Sequence, residues 1–547
     1  MRYTIGITAY YHDSSACLFK DNELVFACEE EKFSGIKHDS SFPNLTIQYI
    51  FDTYNLTKED IECVCYYENP ILRLKRFKSF GKSVRNVFNV WRNLRKISKK
   101  IHYTEHHLSH MNYSFLSSNF KDATIVSIDG VGETESLMIG YGKDGKVYPQ
   151  QSVKYPHSMG LFYSAMTAFL GFKPNEGEYK VMGLASYGNP NVYLNKVRLL
   201  LRYHGNGEIV CDMNYFIWDK SNTMMFDNRL EDYLGLVTRL PNDPIEQKHK
   251  DLAASIQKVY EMNFISILNY AKYICKSDNL CLGGGCAYNG SANGKVVEMG
   301  LFKHLWIPPA PSDAGSSIGS CLSYLSNVGD VIIHTSPFLG PNYYEYEILD
   351  VIHKTEGIEY KRYVRNTILK KTAEFLYAGL VVGWYQDKIE FGARALGNRS
   401  ILADPTVPDM KDKINRVIKK REGFRPFAPM VSYDKQSVYF ESNEYIPYMN
   451  QVVKVKPEYR DKLVAVTHID GTARVQSVTP FNPIYDLLKQ YEKISGYPIL
   501  LNTSFNIKDK TMVLTPQDAM DTFLNTEMDL LILGNYVIFK KQKDENY

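Results

Sequence analysis

The chain has 547 residues, 44% hydrophobic and 23% charged, with a formal net charge of +3. This composition excludes a disordered or fibrous chain. The near-neutral charge supplies no global pull toward nucleic acid or an anionic membrane, and the length allows two to four domains.

The opening MRYTIGITAYYHDSS lacks the apolar stretch and small-residue cleavage site of a secretory signal. No run of about 18 apolar residues follows, so a cytoplasmic, non-membrane protein is expected. Nine cysteines are scattered without a CxxC pair, which favours buried reduced thiols over a zinc ribbon or a disulfide framework.

Tyr3, Ile5 and Ile7 alternate as a strand, and His12 to Ser15 interrupt it. SACLFK and ELVFACEEE flank Asp21-Asn22, a hairpin turn. The plan recurs: ATIVSI reads as a buried strand, Asp129 to Glu133 as a Gly-rich loop, and SLMIGYG and KVYPQQS flank Lys143-Asp144-Gly145. Two strand–acidic loop–hairpin units suggest the duplicated α/β fold of actin, sugar kinases and heat-shock chaperones, whose two loops face each other across a nucleotide cleft.

Between the units lie a helix begun by Pro43, the strand IECVCYY and a basic stretch. Residues 71–104 hold eleven Lys/Arg and no Asp or Glu. Leu74, Phe77, Phe80, Val84, Phe88 and Trp91 recur at helical spacing. A pair of amphipathic helices with a solvated basic face is expected, ahead of nucleic-acid binding. A docking surface for an anionic acceptor is the alternative.

EHHLSHMNYSF places His106 and His110 four apart on one helix face, where two imidazoles can share a divalent metal. His107 with His110 is a competing pair. A further ligand must come from elsewhere; Asp129, at the end of a buried strand, is one candidate and Asp313 another. Asp313 or Ser312 also reads as a cap for a helix starting near Ser316. Imidazoles with carboxylates suit Fe²⁺, Mn²⁺ or Zn²⁺.

Further along, LFYSAMTAFLGF reads as a helix leading into NEGEYKVMGLASYG, and a long helix spans roughly 250–275. The strand ending in LGGGCAYN offers glycines for close ligand approach and a helix start for phosphate; a tight strand-to-helix turn explains it equally. Domain one, 1–344, ends near SPFLGPN. Domain two, 345–547, carries the strands LVVGWY, FAPMVSY and YPILLNTSF. Arg394 and Arg399 in IEFGARALGNRSILADP, Arg425 in GFRPFAP and Arg474 in DGTARVQSV suggest an oxyanion pocket with Asn502 and Ser504 of LLNTSFN. Arg399 is the weakest member. The KDKINRVIKKRE run reads as a solvated helix face.

The pieces YHDSSA, EHHLSH, IDGVGE, EGEYKVMGLASYG, LGGGCAYN, PSDAGSSIG, FGARALGNRSILADP, REGFRPFAP, DGTARVQ and LNTSFN span nearly the whole chain. In this order they resemble the O-carbamoyltransferases, the family of tobramycin, cephamycin and nodulation-factor carbamoyltransferases. The resemblance implies an N-terminal domain like the metal-dependent tRNA threonylcarbamoyl transferase. It implies a C-terminal α/β domain like threonylcarbamoyl-adenylate synthase. There carbamoyl phosphate and ATP, with Mg²⁺, would give carbamoyl adenylate, and the N-terminal domain would pass the carbamoyl group to a hydroxyl of a small-molecule acceptor.

By motif, His106, His110, Asp129 and Asp313 would be Fe²⁺ ligands and His12 the catalytic histidine. Arg394, Arg425, Arg474, Asn502 and Ser504 would bind carbamoyl phosphate or ATP. Lys180, Gly283, Gly284, Gly285 and Asn289 are expected at the nucleotide. From the residues alone His12 fits two roles, a general base or a loop histidine pairing with Asp13. A tRNA-modifying threonylcarbamoyl enzyme is disfavoured by the domain order and YHDSSA. A non-catalytic actin-like ATP-binding regulator is disfavoured because a clamp needs neither the metal set nor the arginines. Oligomeric state is not legible.

Overall fold

Asp21 and Asn22 close the first hairpin with φ of 46° and 68°. Two successive left-handed residues match the twist of antiparallel strands, and Asp and Asn tolerate that conformation best after glycine. The hairpin joins Ser15–Lys20 (β2) and Glu23–Glu29 (β3) beside Tyr3–Thr8 (β1). Ile61–Tyr66 (β4) and Ile101–Tyr103 (β5) add in parallel, giving the order β3-β2-β1-β4-β5. In this computed structural model the described residues are 2–74, 80–221, 223–329, 331–333 and 336–541, without the side chains of 80–86.

The second sheet repeats the plan. Asp122–Ile128 (β6), Glu135–Lys143 (β7) and Lys146–Lys154 (β8) form a meander, turned by Asp144 and Gly145 at φ 49° and 75°. Leu201–Gly205 (β9) and Glu208–Cys211 (β10) make a separate two-stranded sheet. Asn279–Gly283 (β11) and His304–Trp306 (β12) complete the order β8-β7-β6-β11-β12. The same strand order in both sheets is the duplicated actin-like α/β architecture expected from the two hairpins.

Two helices fill the space between these sheets. Asp313–Leu325 packs on β1, β2 and β4, His106–Leu116 packs on β6 and β11, and the two helices pack on each other. Helix Gln247–Cys275 covers β6 and β7 with its apolar face, including buried Leu252, Ile256, Phe264 and Ile267. Helix Phe80–Ile97 buries Val90, Leu94 and Ile97 and exposes Arg92, Arg95 and Lys96, a solvated basic face. Phe77 of the expected helical pattern lies outside the described residues, as do the side chains of Phe80 and Val84.

The chain divides into two compact units, 1–30 with 38–335 and 31–37 with 336–547. The division falls ahead of the boundary expected at residue 344, and the short segment 31–37 joins the second unit. That unit is built on one mixed sheet. Its strands are Ile358–Arg362 (β13), Val382–Tyr385 (β14), Arg399–Ala403 (β15), Ala428–Ser432 (β16), Val452–Lys454 (β17), Thr472–Arg474 (β18), Gln476–Val478 (β19), Ile499–Ser504 (β20), Leu530–Leu533 (β21) and Tyr536–Lys540 (β22). Eight run in the order β13-β22-β21-β14-β15-β20-β16-β19, while β17 and β18 pair separately. Trp384, Ile401, Met430, Leu500 and Leu531 lie in its core. Among the described residues no helix is long and apolar enough to cross a membrane.

Candidate functional site

In open α/β folds ligands gather beyond the carboxyl ends of the strands. Here β6 ends at Ile128, immediately before Asp129, and its parallel neighbour β11 ends at Gly283. Helix His106–Leu116 supplies His106 and His110 from successive turns of one face, and Asp313 is the first residue of its helix. One ligand atom from each of the four residues lies within 4.8 Å of all the others, and all four residues are buried.

Asp129 Oδ2 is 2.9 Å from His110 Nε2 and 3.4 Å from His106 Nε2, and the two Nε2 atoms are 3.1 Å apart. Asp313 Oδ1 stands 3.6 and 3.7 Å from the same nitrogens. Asp313 Oδ2 is buried without a hydrogen-bond partner, which is costly unless something else satisfies it. Two imidazole nitrogens converging on two carboxylates, one with an orphaned oxygen, fit a divalent cation.

Electrostatics follow the geometry. Burial works against charge on His106, but Asp313, Asp129 and Glu133 outweigh it and raise the imidazole to about 9. Burial likewise opposes ionisation of Asp129, yet hydrogen bonds from His106 and His110 hold it well below the usual carboxylate range. His107 differs. Burial, then the charges of His106 and His110, lower it to about 3. Its ring is committed to Ser127 Oγ at 2.8 Å and the Glu135 carbonyl at 3.1 Å. The competing His107–His110 pair is therefore not the one brought to the cluster.

Two supporting residues, Glu133 and Ser316, had no role in the sequence reading. Both Glu133 carboxylate oxygens accept the His106 backbone N–H at 3.1 Å, and one accepts the Asn69 N–H at 2.7 Å. Glu133 thus caps the helix start that Glu105 leaves without a side-chain cap. Ser316 Oγ pairs with His110 Nδ1 at 3.0 Å and fixes its ring. Both act across separate elements, Glu133 on His106 and Ser316 on His110, so neither leaves a local signal in the sequence.

His12 lies in the loop after β1, the counterpart of the Asp129 loop. Its Nδ1 is 2.8 Å from Asp13 Oδ2, and its Nε2 donates to the Asn175 carbonyl at 3.1 Å. Burial disfavours its charge, but Asp13, Asp313 and the Asn175 carbonyl raise it to about 10.

The glycine-rich loop serves close packing. Gly284 has φ 86° and donates its N–H to the Pro311 carbonyl at 2.7 Å, and a Cβ there would meet the Ile128 oxygen at 2.1 Å. The Gly285 N–H points to Asp129 Oδ2 at 3.3 Å, and Gly283 lies against the His110 carbonyl. The Asn289 Oδ1 caps its helix through the Ala292 N–H at 3.1 Å and pairs with Gln257. Lys180 sits in helix Glu178–Ala185, its Nζ 5.7 Å from the Phe172 ring centre.

In the second unit, burial and then the guanidiniums of Arg394, Arg421 and Arg425 push Arg474 well below the usual arginine range. Lys419 is lowered likewise by burial, Arg421, Arg425 and Lys37. Its Nζ donates to the Ser504 carbonyl at 2.7 Å and to Asn506 Oδ1 at 2.8 Å. Cations crowded in this way are stabilised by an anion. Lys419 and Arg421 were hidden in the run read as a solvated face. In fact Ile414, Asn415, Ile418 and Lys419 are buried, so that expectation is corrected. Arg399 is fully buried and donates to the carbonyls of Gln386, Asn398 and Asp387, a structural clamp. Asn502 Nδ2 donates to the Ala395 carbonyl and Gln476 Oε1, both at 2.9 Å, leaving Oδ1 unpartnered.

Residues 3–86 and 78–322 match the family model described as Carbamoyltransferase N-terminus, and residues 373–540 match Carbamoyltransferase C-terminus. An uncharacterized protein of Synechocystis, sll1178, is 37% identical over 99% of this chain and 97% of its own. Nodulation protein NolNO of Sinorhizobium fredii is 34% identical over 97% of this chain and 79% of its own. Nodulation protein NolO of Bradyrhizobium diazoefficiens is 35% identical over 80% of this chain and 79% of its own. Component A of the Acidaminococcus fermentans (R)-2-hydroxyglutaryl-CoA dehydratase, a solved structure, is 16% identical over 60% of this chain and all of its own, with a TM-score of 0.35. The chain belongs to the carbamoyltransferase family.

Proposed function

We propose that the second unit makes carbamoyl adenylate from carbamoyl phosphate and ATP, with Mg²⁺, and that the first unit moves the carbamoyl group to a hydroxyl of a small-molecule acceptor. The observation that carries this reading is that burial, with the nearby charges of Arg394, Arg421 and Arg425, holds Arg474 well below the usual arginine range, while Arg425 has a carboxylate, that of Glu422, at 3.7 Å. A carbamoyl carbon is a poor electrophile because its nitrogen donates into the carbonyl. It needs a phosphate or adenylate leaving group, whose developing charge preorganised guanidiniums stabilise. Lys419, lowered by burial and by Arg421 and Arg425, adds a buried ammonium beside them.

In the first unit, His106, His110, Asp129 and Asp313 would hold a divalent metal, Fe²⁺ on the family resemblance, supplying Lewis-acid charge to the acyl and phosphate oxygens. In this reading His12 takes the acceptor proton after Nε2 has given up the proton it donates to the Asn175 carbonyl, and Asp13 stabilises the imidazolium that results. Gly284 and Gly285 shape the floor beside Asp129.

The test is mass spectrometry of hydroxyl compounds incubated with enzyme, carbamoyl phosphate and ATP. A gain of one carbamoyl mass, dependent on both co-substrates, is expected on one compound class. Carbamoylation that proceeds without ATP would overturn the adenylate route.

A further inference from the structure

We propose that His38 and Asp13 are positioning residues for His12, the Asp13 carboxylate bridging two stacked imidazoles so that His12 is held as one tautomer. The inference rests on the reading of His12 as the proton acceptor. Asp13 gives one oxygen to each ring: Oδ2 lies 2.8 Å from His12 Nδ1, and Oδ1 lies 2.7 Å from His38 Nδ1. The rings stack with centroids 4.8 Å apart and planes 27° from parallel.

The backbone is arranged to make this bridge. Asp13 and His38 both adopt left-handed conformations, φ 45° and 54°, a region that Asp and His enter more readily than most side chains. The two loops are tied together by the Tyr10 N–H to the Ser40 carbonyl at 2.7 Å and the Ser14 N–H to the Asp39 carbonyl at 2.8 Å. His38 therefore reaches Asp13 from a separate, anchored loop. With Oδ1 occupied by His38, the carboxylate cannot rotate away from His12.

The consequence is a defined tautomer. A nitrogen facing a carboxylate keeps its proton better than one facing a carbonyl, so when His12 loses a proton it leaves from Nε2, and the neutral ring is the Nδ1–H tautomer. In transfer, the acceptor O–H proton moves to Nε2 as the oxygen bonds to the carbamoyl carbon. The bond from that carbon to the adenylate oxygen breaks, and AMP leaves with the electron pair. The Asn175 carbonyl, 3.1 Å from Nε2, then receives the new N–H. Ligand atoms of His12, Asp13 and His38 are within 4.8 Å of one another. The two rings take opposite carboxylate oxygens, a pair of hydrogen bonds, whereas His106 and His110 meet a single oxygen of Asp129.

The test uses the full chain labelled with ¹⁵N-histidine, with His12 identified by the signals lost in His12→Asn. Titrated to the pH, near 10, at which His12 becomes neutral, wild type should show the Nδ1–H tautomer. His38→Ala should give a mixture of tautomers, and His38→Asn, whose amide can donate to Asp13 Oδ1, should restore the single form. An unchanged His12 spectrum in folded His38→Ala would overturn the proposal, as would loss of both Nδ1 protons on adding Zn²⁺ alone. If His12→Asn leaves acceptor carbamoylation intact, the reading of His12 fails separately, because the tautomer measurement does not depend on turnover.

Discussion

Gly319 lies against the backbone of Ser109 so closely that a Cβ at Gly319 would stand 1.9 Å from the Ser109 carbonyl oxygen. Gly315, one turn earlier, is equally tight against the Ala310 oxygen and the Tyr113 ring. These contacts set the spacing of the two central helices, and hence of Asp313 on one from His106 and His110 on the other. Gly319→Ala should lower stability by about 1–3 kcal/mol through overpacking and also weaken metal binding in the protein that remains folded. Thermal unfolding and metal analysis check both. An unchanged melting temperature and metal content would show that the helix spacing does not control the cluster.

The two candidate histidine pairs make opposite predictions. His110→Ala should remove bound metal, about one ion per chain in the wild type, while leaving the fold. His107→Gln should keep the metal but lose about 1–3 kcal/mol, because Ser127 Oγ and the Glu135 carbonyl lose a buried partner. Elemental analysis alongside denaturant unfolding separates the cases, and metal loss in His107→Gln with His110→Ala still loaded would reverse the ligand assignment.

The hairpins were legible because Asp-Asn and Asp-Gly are the residues that two left-handed positions demand, and duplicated hairpins led to the duplicated sheet. The i, i+4 spacing of His106 and His110 was legible for the same local reason. What escaped was anything decided by long-range packing. The helix at Asp313 begins before Ser316 because its small residues fit between helix and sheet, a fit that has no 3.6-residue apolar period. Lys419 looked like one more solvated lysine. It is buried because the run turns inward, Lys420 taking φ 50° immediately after it. Asn289, expected at the nucleotide, also caps a helix through its side-chain oxygen, a partner that no local pattern announces.

The second unit should lose stability in acid through His468. Burial is the main cause that lowers this imidazole to about 4, with Asp470 opposing and Arg474 and Lys411 assisting. An unfolded histidine titrates near 6.5, so between about 6.5 and 4 the unfolded chain binds more protons than the folded one. Its contribution is therefore complete above about 6.5 and is lost as pH falls through this window, by at most about 1.4 kcal/mol per pH unit. His468→Gln should flatten that part of the curve of unfolding free energy against pH. A curve of the same slope in the variant would remove His468 as the cause.

The two half-reactions should separate by mutation. His12 belongs to the first unit, whereas Arg474 and Lys419 belong to the second. His12→Asn should leave pyrophosphate formation from carbamoyl phosphate and ATP intact while lowering transfer to acceptor by about 10²–10⁴, the range for a lost proton acceptor. Arg474→Ala should lower pyrophosphate formation itself, by about 10²–10³, since a preorganised cation at the leaving group is gone. Lys419→Met tests the buried ammonium against a side chain of similar length and should fall with Arg474→Ala. Pyrophosphate release, followed without acceptor, decides each case. Normal release in Arg474→Ala would sink the anion-site assignment, and loss of release in folded His12→Asn would deny His12 a role confined to transfer.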